Sequence, residues 1–245
     1  MDGTALAAQA QQWIREQVEA SGLPGVVLGL SGGIDSAVVA GLCARALGPA
    51  NVLGVIMPIS SQPQDAADAH AVADTYGMEA LEVNLQPAFD ALMANLPDGN
   101  ALAVANLKPR LRMLTLYHRA NTLGRLVIGT GNRSEYMTGY FTKYGDAGVD
   151  LLPLVGMYKH QVRDVAHAIG VPQIILDRAP SAGLWAGQTD EEEMGVTYAD
   201  LDRILAAHTA GEELDPSPAV ERVMYLMRVS EHKRRGVPMF TPNVD

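Results

Sequence analysis

The first half of the chain alternates between short, wholly apolar runs and longer amphipathic stretches. Over residues 4–21, apolar residues recur at helical spacing ahead of Gly22 and Pro24, which predicts an amphipathic helix that ends there. The next run, residues 26–30, contains no polar side chain. Such a run is typical of a strand that is buried on both faces of a parallel sheet.

The same alternation continues along the chain. Further strands are predicted at 52–57, 80–84 and 125–129, and helices at 37–47, at 64–76, from Pro87 and after Asn106. Strands separated by helices of this length imply right-handed crossovers. We therefore expect an α/β fold, a Rossmann-like doubly wound parallel sheet with helices on both faces. We expect residues 1–245 to form a single domain, with a mobile loop over a site within 180–217, a stretch rich in Gly, Asp, Glu and Pro.

Composition and charge exclude several classes of protein. The chain has 18 Lys and Arg against 28 Asp and Glu, a formal net charge of -10, and 48% hydrophobic residues. This apolar content excludes a disordered chain, and the acidity argues against a broad nucleic-acid surface, which needs many cations. Residues 106–163 nevertheless hold nine cations less three acids, a net charge of +6. They indicate either a locally cationic pocket for a phosphate-bearing ligand or solvated helix faces.

Cysteine content and hydropathy bear on the compartment. Cys43 is the only cysteine, which excludes an intramolecular disulfide and a multi-cysteine zinc site. No apolar run reaches the roughly 18 residues of a membrane helix, and no basic segment of the secretory type opens the sequence. We therefore expect a soluble, cytoplasmic protein without membrane or nucleic-acid partners.

A glycine-rich hexapeptide joins the predicted strand 26–30 to the helix that follows. Residues 31–36 have the sequence Ser-Gly-Gly-Ile-Asp-Ser, which is neither a Walker A loop nor a dinucleotide fingerprint. Backbone N–H groups and the helix dipole converge on an anion at such a position. Asp35 would repel a bare phosphate, but it suits one that carries Mg²⁺. The alternative is a glycine-rich turn with Asp35 as an ordinary first-turn residue.

The hexapeptide resembles the signature of the PP-loop ATP pyrophosphatases, which cleave ATP between its α- and β-phosphates. Longer motifs are similar to the ammonia-dependent NAD synthetase family: residues 106–113, 129–135 and 139–146. Further matches follow in the expected order: Asp150, Pro153-Leu154, Lys159, 180–184, 187–191 and 232–234. The resemblance implies an adenine nucleotide alpha hydrolase-like fold and a ligase for the last step of NAD biosynthesis. In that step ATP adenylates the carboxylate of deamido-NAD, and ammonia then displaces AMP.

The resemblance also implies roles for individual residues. ATP would be bound by Gly29, Leu30, Ser31, Gly32, Gly33, Ile34, Asp35, Ser36, Thr130, Lys159 and Ser181. Deamido-NAD would be bound by Arg110, Lys143, Asp150, His232 and Lys233. Asp35 and Glu135 would hold Mg²⁺, and Asp146 and Lys159 would be catalytic, with Asp146 binding ammonium or accepting its proton. A homodimer is implied too, with the dinucleotide near the subunit interface.

Several of these residues can also be explained without a role in binding or catalysis. Glu135 suits the first turn of a helix that starts near Asn132, where a carboxylate meets the positive end of the dipole. Arg110 lies close to the start of a helix, although Pro109 leaves the first helical residue undetermined. The helix dipole disfavours a cation at such a position, so we expect an anion beside Arg110. Surface solvation is the alternative for the other charged residues.

Two other functions remain open at this point. Another PP-loop ligase, such as the synthetase part of a GMP synthetase, would share the hexapeptide but not the motifs around Arg110, Lys143 and His232. A noncatalytic adenine-nucleotide sensor would leave the pairing of Asp35 with Glu135 unexplained. The length of 245 residues leaves no room for an appended glutaminase domain, which favours free ammonia as the nitrogen source.

Overall fold

The computed structural model describes residues 2–178 and 189–242. In this part of the chain the strands are β1 (Val26–Gly29), β2 (Val52–Ile56), β3 (Glu79–Glu82) and β4 (Leu126–Val127). They form a parallel sheet in the order β3-β2-β1-β4. The chain winds outward from β1 to β3 and then returns to place β4 on the other side of β1, as in a doubly wound fold. The predicted α/β fold class is confirmed.

Helices separate the strands and make up most of the chain after β4. They are α1 (Gly3–Ser21), α2 (Ile34–Leu47), α3 (Pro63–Tyr76), α4 (Gln86–Met93), α5 (Ala101–Ala105), α6 (Leu107–Leu123), α7 (Arg133–Thr138), α8 (Lys159–Ala168), α9 (Gln173–Leu176), α10 (Asp190–Met194), α11 (Tyr198–Ala210), α12 (Pro218–Val229) and α13 (Glu231–Arg234). The helices predicted in the first half agree to within a few residues. The strand predicted at 125–129 is shorter, and Ile128 extends it only by a single bridge to Leu151.

Both faces of the sheet are covered, because alternate side chains of each strand point to opposite sides. Val26 and Leu28 pack with α1, α2 and α8, and Val27 packs on the other side against α4 and α6. All three side chains are fully buried. This two-sided burial explains why β1 has no polar residue.

A third apolar cluster lies at the C-terminal end of the chain. Leu201, Ile204 and Leu205 of α11 are fully buried and pack with Val223 of α12. Met137 of α7 packs against the same cluster. The helices α10, α11 and α12 are therefore attached directly to the element that follows β4.

The structure describes only part of the stretch 180–217, within which we expected a mobile loop. Residues 190–194 and 198–210 are helical. The acidic start of α10 and the glycines around it obscured the helical spacing of Leu201, Ile204 and Leu205. Residues 179–188, which include Ser181, lie outside the described residues. Within the described ranges, no helix combines the length and apolar content needed to cross a membrane.

The burial of Leu201 gives a stability prediction. Leu201→Ala removes a fully buried side chain, and we expect the free energy of unfolding to fall by about 2–5 kcal/mol. Ile174→Ala is the matched control, because Ile174 is 52% exposed and its truncation should cost about 0.5 kcal/mol or less. Urea titration followed by circular dichroism measures both. Equal losses in the two variants would contradict a packed core at α11.

Candidate active site

The glycine-rich hexapeptide forms a compact turn between β1 and α2. The hydroxyl of Ser36 donates to the carbonyl of Gly33 at 2.9 Å, and the hydroxyl of Ser31 accepts from the N–H of Gly33 at 3.2 Å. Gly33 is the N-terminal cap of α2, and no side chain caps the helix. Because first-turn N–H groups have no acceptor inside their helix, this end of α2 is suited to binding an anion.

Gly32 seats this turn against the start of α3. Its φ of +77° lies in the left-handed region, which favours glycine. A Cβ on Gly32 would come within 2.6 Å of the backbone oxygen of Asp65 and 3.0 Å of the Cβ of Asp68. A larger residue would therefore displace the turn from α3.

A buried ammonium group lies between two carboxylates at the carboxyl edge of the sheet. Lys159 Nζ lies 2.5 Å from Asp35 Oδ2 and 3.4 Å from Glu135 Oε1. The Lys159 side chain is only 2% exposed, so its charge requires partners. Burial alone would lower the pKa of Lys159, but Asp35 and Glu135 outweigh it and hold that pKa above its usual value. The structure thus brings together three residues that the sequence motifs place far apart in the chain.

Glu135 serves the local fold and the site at the same time. Its Oε2 accepts from the backbone N–H of Asn132 at 3.1 Å, and its own N–H donates to Asn132 Oδ1 at 3.0 Å, which completes a capping box. The buried Asn132 side chain also donates to Asp35 Oδ1 at 2.9 Å. The helix-start interpretation of Glu135 and its place in the site are therefore compatible.

The second half of the chain adds two tyrosines and a carboxylate to this cluster. Tyr198 OH donates to Asp190 Oδ2 at 2.9 Å and lies 3.5 Å from Glu135 Oε1, and its ring lies 4.9 Å from Lys159 Nζ. Tyr140 OH donates to Asp190 Oδ1 at 3.1 Å. The sequence analysis gave no role to Tyr198 or to Tyr140, although Tyr140 lies within the motif 139–146.

The donor set fits a hard cation that is shared with a substrate. Mg²⁺ commonly takes one or two carboxylates and completes its octahedron with waters and phosphate oxygens. Asp35 and Glu135 supply two such carboxylates, and both are reached by one ammonium. Within the described residues no group of three or more acidic, histidine or cysteine side chains forms a full cage. The two carboxylates would therefore share the ion with phosphate.

Hydrogen bonds connect three of the residues proposed for deamido-NAD, and the fourth, Lys233, is the chain neighbour of His232 and bonds to the segment after α7. Arg110 Nη2 donates to the carbonyl of Lys143 at 3.3 Å, and Lys143 Nζ donates to the carbonyl of His232 at 2.7 Å. Lys233 Nζ donates to the carbonyls of Gly139 at 2.7 Å and Phe141 at 2.8 Å. The start of α6, the segment after α7 and α13 thus meet at one place.

Arg110 lies in the first turn of α6, as its position after Asn106 suggested. The helix begins at Leu107, so Pro109 occupies its third position, where a missing N–H leaves no helical bond unmade. The Arg110 side chain donates to the carbonyl of Lys143, and an anionic ligand beside it stays a prediction. A carbonyl oxygen carries enough partial negative charge to accept from the guanidinium.

Asp150 and Asp146 lie in different surroundings. Asp150 accepts from the backbone N–H of Val127 at 2.7 Å and from Tyr117 OH at 2.9 Å, so both its oxygens tie β4 to α6. Asp146 accepts from the N–H of Thr142 at 2.8 Å and interacts electrostatically with Lys233. The contacts recorded for Asp150 do not join it to the Arg110 group. Thr130 lies just after β4 and before α7.

The cations of residues 106–163 are spread over the fold. Arg125 donates to the carbonyl of Ala50 at 2.9 Å, and Arg112 donates through Nε to that of Met57 at 3.1 Å. Near the glycine-rich hexapeptide, Lys159 is surrounded by the acids Asp35, Glu135 and Asp190. The described neighbours of Lys159 are therefore acidic, and the cationic pocket for a phosphate-bearing ligand stays a prediction for the surroundings of Arg110 and Lys143.

The parallel sheet, the uncapped helix behind a glycine-rich turn, and the lysine held by two carboxylates define a nucleotide-binding α/β enzyme of the PP-loop class. A family model described as NAD synthase matches residues 6–237. An NH(3)-dependent NAD(+) synthetase of Finegoldia magna is 45% identical over 241 residues, covering 98% of this chain and 97% of that protein. The chain belongs to the NAD synthase family, and the resemblance noted in its motifs is confirmed.

Solved structures with the same fold extend the comparison. An NMN synthetase from Francisella tularensis has a TM-score of 0.90 and 38% identity, and covers 100% of both chains. An NH3-dependent NAD synthetase from Campylobacter jejuni, in complex with nitrate, has a TM-score of 0.85 and 30% identity, over 98% of this chain and 100% of that one. The fold is therefore shared along the whole chain with enzymes that carry both names.

The surroundings of Glu135 predict a pH-dependent stability. Burial and the neighbouring Asp35 raise the pKa of Glu135 to about 8, against the opposing effect of Lys159. A folded-state pKa above the unfolded value gives a contribution that is full below pH 4.5 and is lost as the pH rises through 8. Without nucleotide or Mg²⁺, Glu135→Gln should therefore gain thermal stability over the wild type progressively between pH 5 and pH 8.5. Glu212→Gln, at an exposed position, is the control. A gain that does not change with pH would contradict the assignment.

Proposed function

We propose that this chain is an ammonia-dependent NAD synthetase, a ligase that forms a C–N amide bond. Its substrates are deamido-NAD, ATP and ammonia, and its products are NAD, AMP and pyrophosphate. The observation that carries the proposal is the cluster of Asp35, Glu135 and Lys159 at the mouth of the phosphate loop. Membership of the NAD synthase family supports it and argues against a GMP synthetase-like ligase.

The reaction requires activation of a carboxylate. A carboxylate is a poor acyl donor, so an oxygen of the nicotinate carboxylate attacks the α-phosphorus of ATP, and the bond to the β-phosphate oxygen breaks. This step needs alignment of two polyanions and neutralisation of the departing charge, without a protein nucleophile. Lys159 is buried, positively charged and fixed by two carboxylates. It is suited to stabilise the pyrophosphate as it leaves.

Residues around the glycine-rich hexapeptide have separate proposed roles in binding the phosphates of ATP and Mg²⁺. Residues 29–36 would hold the phosphates through backbone N–H groups and the hydroxyls of Ser31 and Ser36, and Thr130 would approach from the end of β4. Asp35 and Glu135 would hold Mg²⁺, which when bound offsets the negative charge of the phosphates. The role of Ser181 rests on the family resemblance alone.

The dinucleotide would bind on the other side of the crevice. Arg110, Lys143 and His232 are connected by hydrogen bonds, and Lys233 adjoins His232. The cations Arg110, Lys143 and Lys233 suit a ligand with two phosphates. Several of their donors already bond to carbonyls, so these cations are held in place before the ligand arrives. Asp150 would act from its position beside β4.

We further propose a homodimer in the cytoplasm, with the dinucleotide near the subunit interface. Leu102 of α5 and Leu114 of α6 are each 60% exposed. A second copy of the chain would bury such apolar side chains. The start of α6 also carries Arg110, which would bring the interface close to the dinucleotide.

A single assay tests the function and its nearest alternative. Purified protein is incubated with Mg²⁺, ATP and ammonium, and with either deamido-NAD or nicotinate mononucleotide, the latter because of the Francisella enzyme. We expect deamido-NAD to give NAD and AMP in equal amounts, and to do so faster than nicotinate mononucleotide gives nicotinamide mononucleotide and AMP. Both reactions should be slower when glutamine replaces ammonium. Faster turnover of the mononucleotide would reassign the substrate. ATP binding without pyrophosphate release would identify a nucleotide sensor and contradict the proposal.

The proposed role of Asp146 gives a second test. If this carboxylate binds ammonium or takes its proton, Asp146→Asn should slow amide formation by about 10²–10⁴-fold, the usual contribution of a general base. ATP binding and ATP–pyrophosphate exchange should continue, because adenylation precedes attack by ammonia. Asp164→Asn on α8 is the matched control at an exposed position. Unchanged turnover at limiting ammonium would exclude the role.

A further inference from the structure

A buried carboxylate on α11 joins the two elements that carry Glu135 and Lys159. Asp202 Oδ1 accepts a short hydrogen bond from the hydroxyl of Ser134, and Asp202 Oδ2 accepts from the backbone N–H of His160 at 2.9 Å and from its ring Nδ1 at 2.8 Å. Asp202 is 5% exposed and Ser134 is fully buried. Ser134 and His160 are the immediate chain neighbours of Glu135 and Lys159.

Packing alone does not explain a carboxylate at this position. The apolar neighbours Leu201 and Leu205 already fill the core beneath α11. Burying an ionised carboxylate costs free energy unless its oxygens are fully partnered, and here three donors meet that need. The carboxylate also accepts from the first turn of α8, where the helix dipole favours negative charge.

Ser134 connects the two backbones in the same cluster. Its hydroxyl donates to Asp202 and accepts from the N–H of Lys159 at 3.1 Å. Because Asp202 fixes the direction of this hydroxyl, it also fixes the lone pair that receives Lys159. The start of α8 and the first turn of α7 are thus tied together directly behind the site. On the other side of these two backbones, Glu135 Oε1 and Lys159 Nζ lie 3.4 Å apart.

We propose that Asp202 is a positioning residue. Through Ser134 and the first turn of α8, it sets the separation between the Glu135 carboxylate and the Lys159 ammonium. Within the described residues its oxygens bond to Ser134 and His160 and to neither of those two side chains, so it acts through their backbones. The expected fall in kcat rests on the proposed function. The expected change in the distance between Lys159 and Glu135 rests on the geometry alone.

The kinetic test uses Asp202→Asn. Loss of such a supporting carboxylate typically lowers activity about 10- to 100-fold. We expect kcat, counted per ATP-binding site by titration, to fall by that factor, while KM for ATP and deamido-NAD changes less than about threefold. Asp200→Asn on the same helix is the matched control, because Asp200 is 49% exposed and bonds only locally. It should keep kcat within about twofold.

A double-mutant cycle separates positioning from general support of the fold. If Asp202 acts through Ser134, the double variant Asp202→Asn/Ser134→Ala should be about as active as the less active of the two single variants. Multiplied losses, or a loss in Asp202→Asn no larger than in Asp200→Asn, would overturn the proposal. If Asp202→Asn does not fold, Ser134→Ala replaces it, with the same expected fall in kcat.

A crystal structure of Asp202→Asn keeps the test independent of the proposed activity. We expect the distance between Lys159 Nζ and Glu135 Oε1 to increase from its value of 3.4 Å. An unchanged separation would overturn the positioning role, whatever the kinetics show. A wild-type protein that forms no NAD would instead refute the proposed function, and the crystallographic comparison would still decide on Asp202.

Discussion

The structure depends on one buried positive charge. Lys159 is 2% exposed, and the Asp35 carboxylate at 2.5 Å compensates its charge, with Glu135 Oε1 at 3.4 Å as a second acceptor. A lysine buried without such partners would lose its proton or destabilise the fold, because desolvating an ion costs several kcal/mol. The three residues come from α2, α7 and α8. The parts of the chain after β1 and after β4 are therefore held to each other by electrostatics as well as by the sheet.

The sheet provides the place for this cluster, and the C-terminal helices close it. Parallel strands bring the residues after β1 and after β4 to one edge, where ligands bind in open α/β sheets. The helix α11 then contributes twice from one face, with Tyr198 at Glu135 and Asp202, four residues later, at Ser134. The apolar cluster of α10–α12 thus supports the chemistry through its polar positions. The packing of α11 therefore also fixes the positions of Tyr198 and Asp202 beside the site.

The sequence predicted the sheet well, because its evidence is local. The apolar run of β1 and the glycines after it determine a buried strand and a tight turn without help from distant residues. The family resemblance also implied that Asp35 and Glu135 act together, and both lie beside Lys159 in the structure. The sequence analysis missed α11 as a helix, although Leu201, Ile204 and Leu205 have helical spacing. The acidic, glycine-flanked context outweighed that signal.

The partners of individual side chains could not be predicted from the sequence. Tyr198, Asn132 and Asp202 matter because of what they touch, and those contacts form only when distant elements pack. Motifs give the position of a residue but not its hydrogen bonds. Lys233 shows this, since its ammonium is held by two backbone carbonyls of the segment after α7.

The seating of Gly32 has a consequence for nucleotide binding. Its left-handed backbone places the turn against the carbonyl of Asp65, with no space for a side chain between them. The turn and the start of α3 therefore form one rigid unit before any phosphate arrives. A preorganised turn loses little conformational entropy on association, so under the proposed function more of the interaction free energy would remain available to hold ATP.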